Sequence, residues 1–212
     1  MHLDRILSGV SPLADRPPVE HWNPRLSGDM DLVIQHDGRW VHEGTPMVRH
    51  ELVQLFARIL RREDDGDYYL VTPVEKWRIQ VEDCAFIVVS AEFKRDAGEP
   101  GLDEPGLDEK NGAAQQRPAG TWWLTTNVGE CIALGREHRL SLSRTPSGDS
   151  VPEVNLRLGL AARLGRNVFY QLVEQGQQQG DGFGIQSAGI WQPLGCLDEM
   201  ASGEGNGSEG DA

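Results

Sequence analysis

Apolar and polar residues alternate at period two through much of residues 30–93 and 122–194, and elsewhere the apolar spacing widens to three and four. Period two marks half-buried strands, and the wider spacing marks helices. Met30 to Gln35 and Arg39 to Glu43 flank Asp37-Gly38, a pair that tolerates the positive φ of a tight hairpin turn. The spacing next predicts a helix. Thr45 stands as its N-cap and Pro46 at its first position, while Val48, Leu52, Leu55, Phe56, Ile59 and Leu60 form its apolar face, with Arg58, Arg61 and Arg62 closing it. Strands follow at Tyr68 to Val71, Trp77 to Val81 and Phe86 to Phe93.

Further along, Trp122 to Thr126, Cys131 to Leu134, Arg139 to Ser143 and Val154 to Leu158 read as short strands. A second helix is predicted over about Gly159 to Gln175, with Leu160, Ala161, Leu164, Val168, Leu172 and Val173 buried and Gly176 as its stop. A hairpin, Phe183 to Gln186 and Ile190 to Leu194, closes the pattern through Ala188-Gly189. The fold class is therefore α+β, built as two strand-and-helix modules. Residues 25–94 form the first module and 121–197 the second; 1–24 give a short helix (Leu3, Ile6, Leu7, Val10) and a proline-rich arm.

Two echoes link the halves. Tyr69-Leu-Val-Thr72-Pro-Val74 aligns with Trp123-Leu-Thr-Thr126-Asn-Val128, and Ile34-Gln35-x-x-Gly38-x-Trp40 with Ile185-Gln186-x-x-Gly189-x-Trp191. An internal duplication produces such matches, and so does strand-turn-strand grammar alone.

Charge sharpens the domain map. The net charge is −13, of which −3 falls in residues 95–120 and −5 in residues 198–212. The first of these segments repeats Glu99-Pro-Gly-Leu-Asp103 as Glu104-Pro-Gly-Leu-Asp108, and both are too polar to bury a core, so they read as a disordered acidic loop and tail. An acidic chain has little to neutralise phosphates with, which argues against nucleic acid and anionic membranes as partners. Three scattered cysteines, Cys84, Cys131 and Cys196, have no zinc spacing and read as reduced thiols. With no signal-peptide pattern and no long apolar run, the expected location is the cytoplasm.

Catalytic signatures such as a nucleophile elbow, a phosphate loop or a zinc-protease motif are absent. His36, His42 and His50 with Asp29, Asp31 and Asp37 carry metal-ligating groups, but turn, strand and helix roles account for them, so no metal site and no cofactor is expected. The best polar constellation is Thr72-Pro-Val-Glu75-Lys76, where one strand ends and another begins, with Thr126-Asn127 at the corresponding point of the second half. Hydroxyl, carboxylate, amide and ammonium groups at strand ends can orient a small polar ligand. Arg157 lies on a strand's polar face. Arg163, Asn167 and Tyr170 share a helix face, as either a solvated or a binding surface.

Trp22-Asn-Pro24, Gly28-Asp-Met-Asp31, Asp37-Gly-Arg-Trp40, Glu43-Gly-Thr-Pro46, Thr72-Pro-Val-Glu-Lys76, Val81-Glu-Asp83, Thr126-Asn-Val-Gly129 and Asn155-Leu-Arg157 through Tyr170 occur in one order. In these motifs the chain resembles the bacterial family of unknown function called DUF1285, over about residues 20–195 outside the acidic loop. The resemblance implies two domains with an internal structural repeat, the second pleckstrin-homology-like. It also implies a nucleotide-like ligand at the domain interface and a role in signal transduction.

Thr72, Glu75, Lys76, Thr126, Asn127, Arg157 and Arg163 are the positions expected to meet that ligand, with Lys76 and Arg157 on its anion. The functional expectation is a non-catalytic regulatory protein binding a nucleotide-like or phosphorylated molecule. A protein-interaction adaptor is the second reading, and a metal-assisted hydrolase using Asp29, Asp31 and the nearby histidines the third.

Overall fold

A computed structural model describes residues 17–95, 120–144 and 150–196. The helix expected at Leu3 to Val10 and the acidic tail lie outside these residues, as does the acidic loop apart from its ends. The first sheet runs β1 (Leu26–Ile34), β2 (Trp40–His42), β3 (Thr45–Pro46), helix α1 (His50–Ile59), β4 (Leu60–Arg62), β5 (Tyr68–Val71) and β6 (Lys76–Val81). Its spatial order is β3-β2-β1-β6-β5-β4, two antiparallel meanders joined along the parallel pair β1 and β6.

The second sheet comprises β7 (Phe86–Arg95), β8 (Gly120–Thr126), β9 (Cys131–Ala133), β10 (Leu140–Arg144), β11 (Ser150–Asn155) and β12 (Ala161–Leu164). Its order, β10-β11-β12-β7-β8-β9, is the first sheet's order again when its strands are renumbered from one. Here too the central pair, β7 and β12, is parallel. The strand at Phe86 to Phe93, read with the first module, thus pairs in the second sheet. Helix α2 (Arg166–Glu174) and a three-stranded sheet, β13 (Gln177–Gln179), β14 (Gly182–Ser187) and β15 (Ile190–Cys196), complete the described chain.

Several local assignments differ from the sequence pattern, because strand pairing outweighs local spacing. Glu43 and Gly44, at φ 47 and 72, turn the chain back, so Thr45 and Pro46 pair with His42 and Val41 instead of capping a helix. Proline suits that outermost strand, where no ladder donor is needed. Helix α1 stops at Ile59 because Leu60 adopts extended geometry and pairs with Leu70. Arg163, read on a helix, belongs to β12 opposite Ile87, and α2 starts only after Gly165, whose amide bonds Val88 and where a β-carbon would stand 2.7 Å from the Val88 carbonyl.

The two sequence echoes do not map onto the sheet repeat. Tyr69 lies in the fifth strand of the first sheet and Trp123 in the second strand of the second; the other echo joins a β1–β2 hairpin to β14–β15 of the third sheet. What Thr72 and Thr126 share is turn chemistry. Each hydroxyl oxygen accepts an amide N–H beyond its strand, Glu75 at 3.0 Å and Glu130 at 3.0 Å.

The core is one connected cluster running through both sheets, with Trp40, Phe56, Phe86, Leu70, Leu124, Leu134 and Leu160 fully buried. Two buried polar side chains stitch the third sheet onto the second. Ser187 Oγ accepts the Trp122 amide and donates to the Leu134 carbonyl, while Gln192 accepts from the Leu140 amide. Left unpaired there, each backbone group would cost about 1–3 kcal/mol.

At the β14–β15 turn, exposed Ala188 is held at φ 49 next to Gly189 at φ 69. A left-handed residue bearing a β-carbon costs roughly 1–2 kcal/mol, much less for asparagine. Ala188→Asn is expected to raise the melting temperature by about 1–3 °C, read by thermal unfolding followed by circular dichroism.

Candidate functional site

The sequence-predicted site residues divide between two places. Lys76 starts β6 and reaches across to Glu63, just past β4, with Nζ 3.0 and 3.2 Å from its carboxylate oxygens. It also lies over the Tyr69 ring, 4.7 Å from the centroid. Glu63 receives Arg61 as well, and Arg61 donates to the Val19 and Trp22 carbonyls at 3.2 and 3.0 Å. One carboxylate thereby ties two cations, and through Arg61 the arm at residues 19–22, to the edge of the first sheet. The three side chains are only 13–23% exposed, so the network is screened far less than a surface pair. Tyr69 donates to Asp65 at 2.7 Å, and that bond pushes its hydroxyl up to about 12. Thr72 is buried within its turn, and Glu75 accepts from the Trp77 indole at 3.3 Å.

The second place is the seam between the two modules, where turns of the second sheet meet α1, β4 and the β1–β2 hairpin. Asn127 binds both sides: its oxygen accepts the Ile87 amide at 3.0 Å and its nitrogen donates to the Gly38 carbonyl at 3.2 Å. Gly38, at φ 81, is required there, because a β-carbon would stand 2.7 Å from the Asn127 amide nitrogen. Gln54 on α1 donates to the Val128 carbonyl at 3.1 Å.

Arg157 follows β11 in a turn, not in a strand as read. It donates to the Ala57 carbonyl at 3.1 Å and lies 3.7 Å from Glu130. Ala57 is among the last α1 residues, whose carbonyls lack helical partners, so a cation there satisfies both the hydrogen bond and the helix dipole. Arg163 is engaged by Asp83, in the link between the sheets, and lies 4.0 Å from Glu153.

Thr126, Asn127 and Arg157 thus gather at the seam around Glu130, whereas Lys76 joins Glu63 and Arg163 joins Asp83. Sequence reasoning overlooked Arg61, Arg62 and Glu63, because Arg61 and Arg62 passed for the basic end of a longer helix. The signal lay in Arg61-Arg62-Glu63 preceding Asp64-Asp65-Gly66, a charged strand leading into a turn. These residues wall a cleft of about 740 Å³ between the arm (Glu20, Asn23), β4 with its following turn, and Leu158 and Gly159 of the second module. Its volume falls within the range of small-molecule sites.

In that cleft, Arg62 is exposed, with its guanidinium 5.4 Å from the Tyr68 ring centroid and its Nε donating to the Gly66 carbonyl at 3.2 Å. Among the described residues no carboxylate forms an ion pair with it. Three of the residues considered as metal ligands are engaged otherwise: Asp29 by Arg78 at 2.6 Å, Asp37 by Arg39 at 2.6 Å and His36 by Glu82 at 3.2 Å. No three His, Cys, Asp or Glu side chains converge for a metal among the described residues. Burial pushes the Cys84 thiol up to about 11, and it donates to the Ala161 carbonyl at 3.1 Å, as a packed thiol does.

Burial alone would raise the Glu63 carboxyl, but hydrogen bonds from Arg61 and Lys76 outweigh it and hold it below its ordinary 4.5. A depressed carboxylate stabilises the fold fully above the unfolded value and loses that contribution as pH falls through the folded one. Glu63→Gln is therefore expected to cost about 1–3 kcal/mol at pH 7, with the gap to wild type narrowing below about pH 4.5. Urea midpoints at pH 7 and pH 3.5 measure it; a gap independent of pH would refute the assignment.

Two family models match the chain: the DUF1285 N-terminal domain, a domain of unknown function, over residues 17–84, and the DUF1285 C-terminal domain over residues 112–194. The chain is similar to the crystal structure of a DUF1285 family protein from Silicibacter pomeroyi DSS-3, at 34% identity and a TM-score of 0.76, covering 94% of this chain and 97% of that one. A DUF1285 family protein from Shewanella baltica OS155 matches at 27% identity and a TM-score of 0.47, covering 68% of this chain and 91% of that one. No curated protein matches. No helix among the described residues is long and apolar enough to cross a membrane. The chain belongs to the DUF1285 family.

Proposed function

We propose that this chain is a non-catalytic, cytoplasmic regulatory protein of bacterial signal transduction that holds a nucleotide-like or phosphorylated small molecule in the seam cleft. The observation that carries the reading is Arg62: an exposed guanidinium in a cleft shared by both modules, with no carboxylate ion pair among the described residues. The proposal moves the anion contact from Lys76 and Arg157 to Arg62, because a phosphoryl group would have to displace Glu63 or Glu130 from the first two. Arginine suits the task, since its planar fork meets phosphate with two donors.

Four carboxylates line the same cleft and repel phosphate; Glu63 and Asp65 are engaged by Arg61, Lys76 and Tyr69, while Glu20 and Asp64 accept hydrogen bonds well. They suit ribose hydroxyls and the N–H edges of a base, so a nucleoside phosphate fits the mixed lining better than inorganic phosphate does. In the same proposal the second module is pleckstrin-homology-like, supported by its six strands followed by α2.

Thermal shift against a panel of nucleoside mono- and diphosphates tests the reading. A ligand at 100 times its Kd adds about 2.7 kcal/mol, which for a chain of this size raises Tm by roughly 5–10 °C. Arg62→Ala should abolish the shift, whereas Lys76→Ala should lower the starting Tm and leave the shift in place. No shift across the panel at millimolar concentration would sink the proposal and turn attention to the adaptor reading.

A further inference from the structure

The turn that forms the second module's wall of the cleft carries an unusual residue. Arg157 to Leu160 is closed by the Leu160 amide on the Arg157 carbonyl at 3.0 Å, with Leu158 at φ 54 and Gly159 at φ 72. Both central residues are left-handed, as in the turns that prefer asparagine, aspartate or glycine. A leucine holds that conformation only against the crowding of its own β-carbon.

What holds it is docking onto the first module. The Leu158 carbonyl accepts the Arg62 amide at 3.0 Å, and Gly159 packs so close that a β-carbon would lie 3.0 Å from the Arg62 carbonyl. Arg157 adds its bond to the Ala57 carbonyl. The first two of these contacts fall on Arg62, the last residue of β4, the three-residue outermost strand of its sheet, and the third on the end of α1. Apart from Leu158, which packs against the core, they are few and mostly polar, whereas Leu60 at the start of β4 and Leu160 behind the turn are fixed in the shared core. Local openings are drawn from such weakly anchored segments.

We propose that the Arg157–Leu160 turn is a strained latch that releases the Arg62 end of β4 without unfolding either sheet. Leu158 and Gly159 form one wall of the seam cleft, so release widens the cleft. The gating role rests on the binding reading above, but the latch itself does not.

Residue-resolved amide hydrogen exchange on the full chain, without ligand, tests it. The Arg62 amide is expected to exchange at least 100-fold faster than the slowest amides of β6 and β8. Gly159→Ala, which puts a β-carbon against Arg62 at a left-handed position, should speed Arg62 exchange at least tenfold further while β6 and β8 keep their rates. Leu158→Asn, which eases the left-handed turn and keeps the accepting carbonyl, should slow Arg62 exchange, and it serves if Gly159→Ala does not fold.

Arg62 exchanging in step with β6 and β8 in the wild type, or variants that change all amides together, would overturn the latch. Failure of the nucleotide panel leaves these rates as they are and removes only the gating role. Uniform exchange removes the latch and leaves the cleft.

Discussion

The first sheet and its helix end in backbone groups that they cannot satisfy themselves. The Ala57 carbonyl near the end of α1, the Arg62 amide on the outer side of β4 and the Gly38 carbonyl at a hairpin tip all find partners in the second module. An edge strand left open invites other chains, and a buried orphan costs about 1–3 kcal/mol. The second module's turns discharge all three obligations, so hydrogen-bond completion joins apolar burial in setting the arrangement of the two sheets. Asn127 makes the point most directly, because one side chain serves both modules with opposite ends of its amide.

This bracing limits what the seam residues can do for a ligand. Arg157 and Asn127 are held by backbone partners and Lys76 by a carboxylate, and a new ligand must match those interactions before it gains anything. Arg62 differs because its backbone serves the seam while its side chain turns to the cleft. A single residue therefore links module docking to the surface where a small molecule would sit. The surface ion pairs elsewhere, such as Arg78 with Asp29 at 44% and 67% exposure, are screened by solvent and add little to either role.

Most strands were legible in the sequence because period two and turn residues act locally. The β1–β2 and β14–β15 hairpins, and the strands on either side of the acidic loop, fall close to where the alternation puts them. The two errors at helix ends share one cause. Leu60 to Arg62 and Ala161 to Leu164 fit a helical spacing and an alternating one equally well, and the choice is made by partners distant in sequence, Leu70 for Leu60 and Phe86 for Ala162. The repeat was legible only in part. It lies in strand order, which local motifs do not encode, and the motifs that suggested it were repeated turns.

The candidate site was legible as chemistry but not as geometry. Strand-end positions do gather polar groups, and Thr126, Asn127 and Arg157 do meet at the seam. Spacing cannot reveal which of them are consumed there, because Glu63 and Lys76 are separated by a full hairpin before they pair. A charged group's availability depends on the partners that folding brings to it, so the informative cation is the one folding leaves without a carboxylate. Among the residues that line the cleft that cation is Arg62, which the linear pattern had spent on ending a helix that stops three residues earlier, at Ile59.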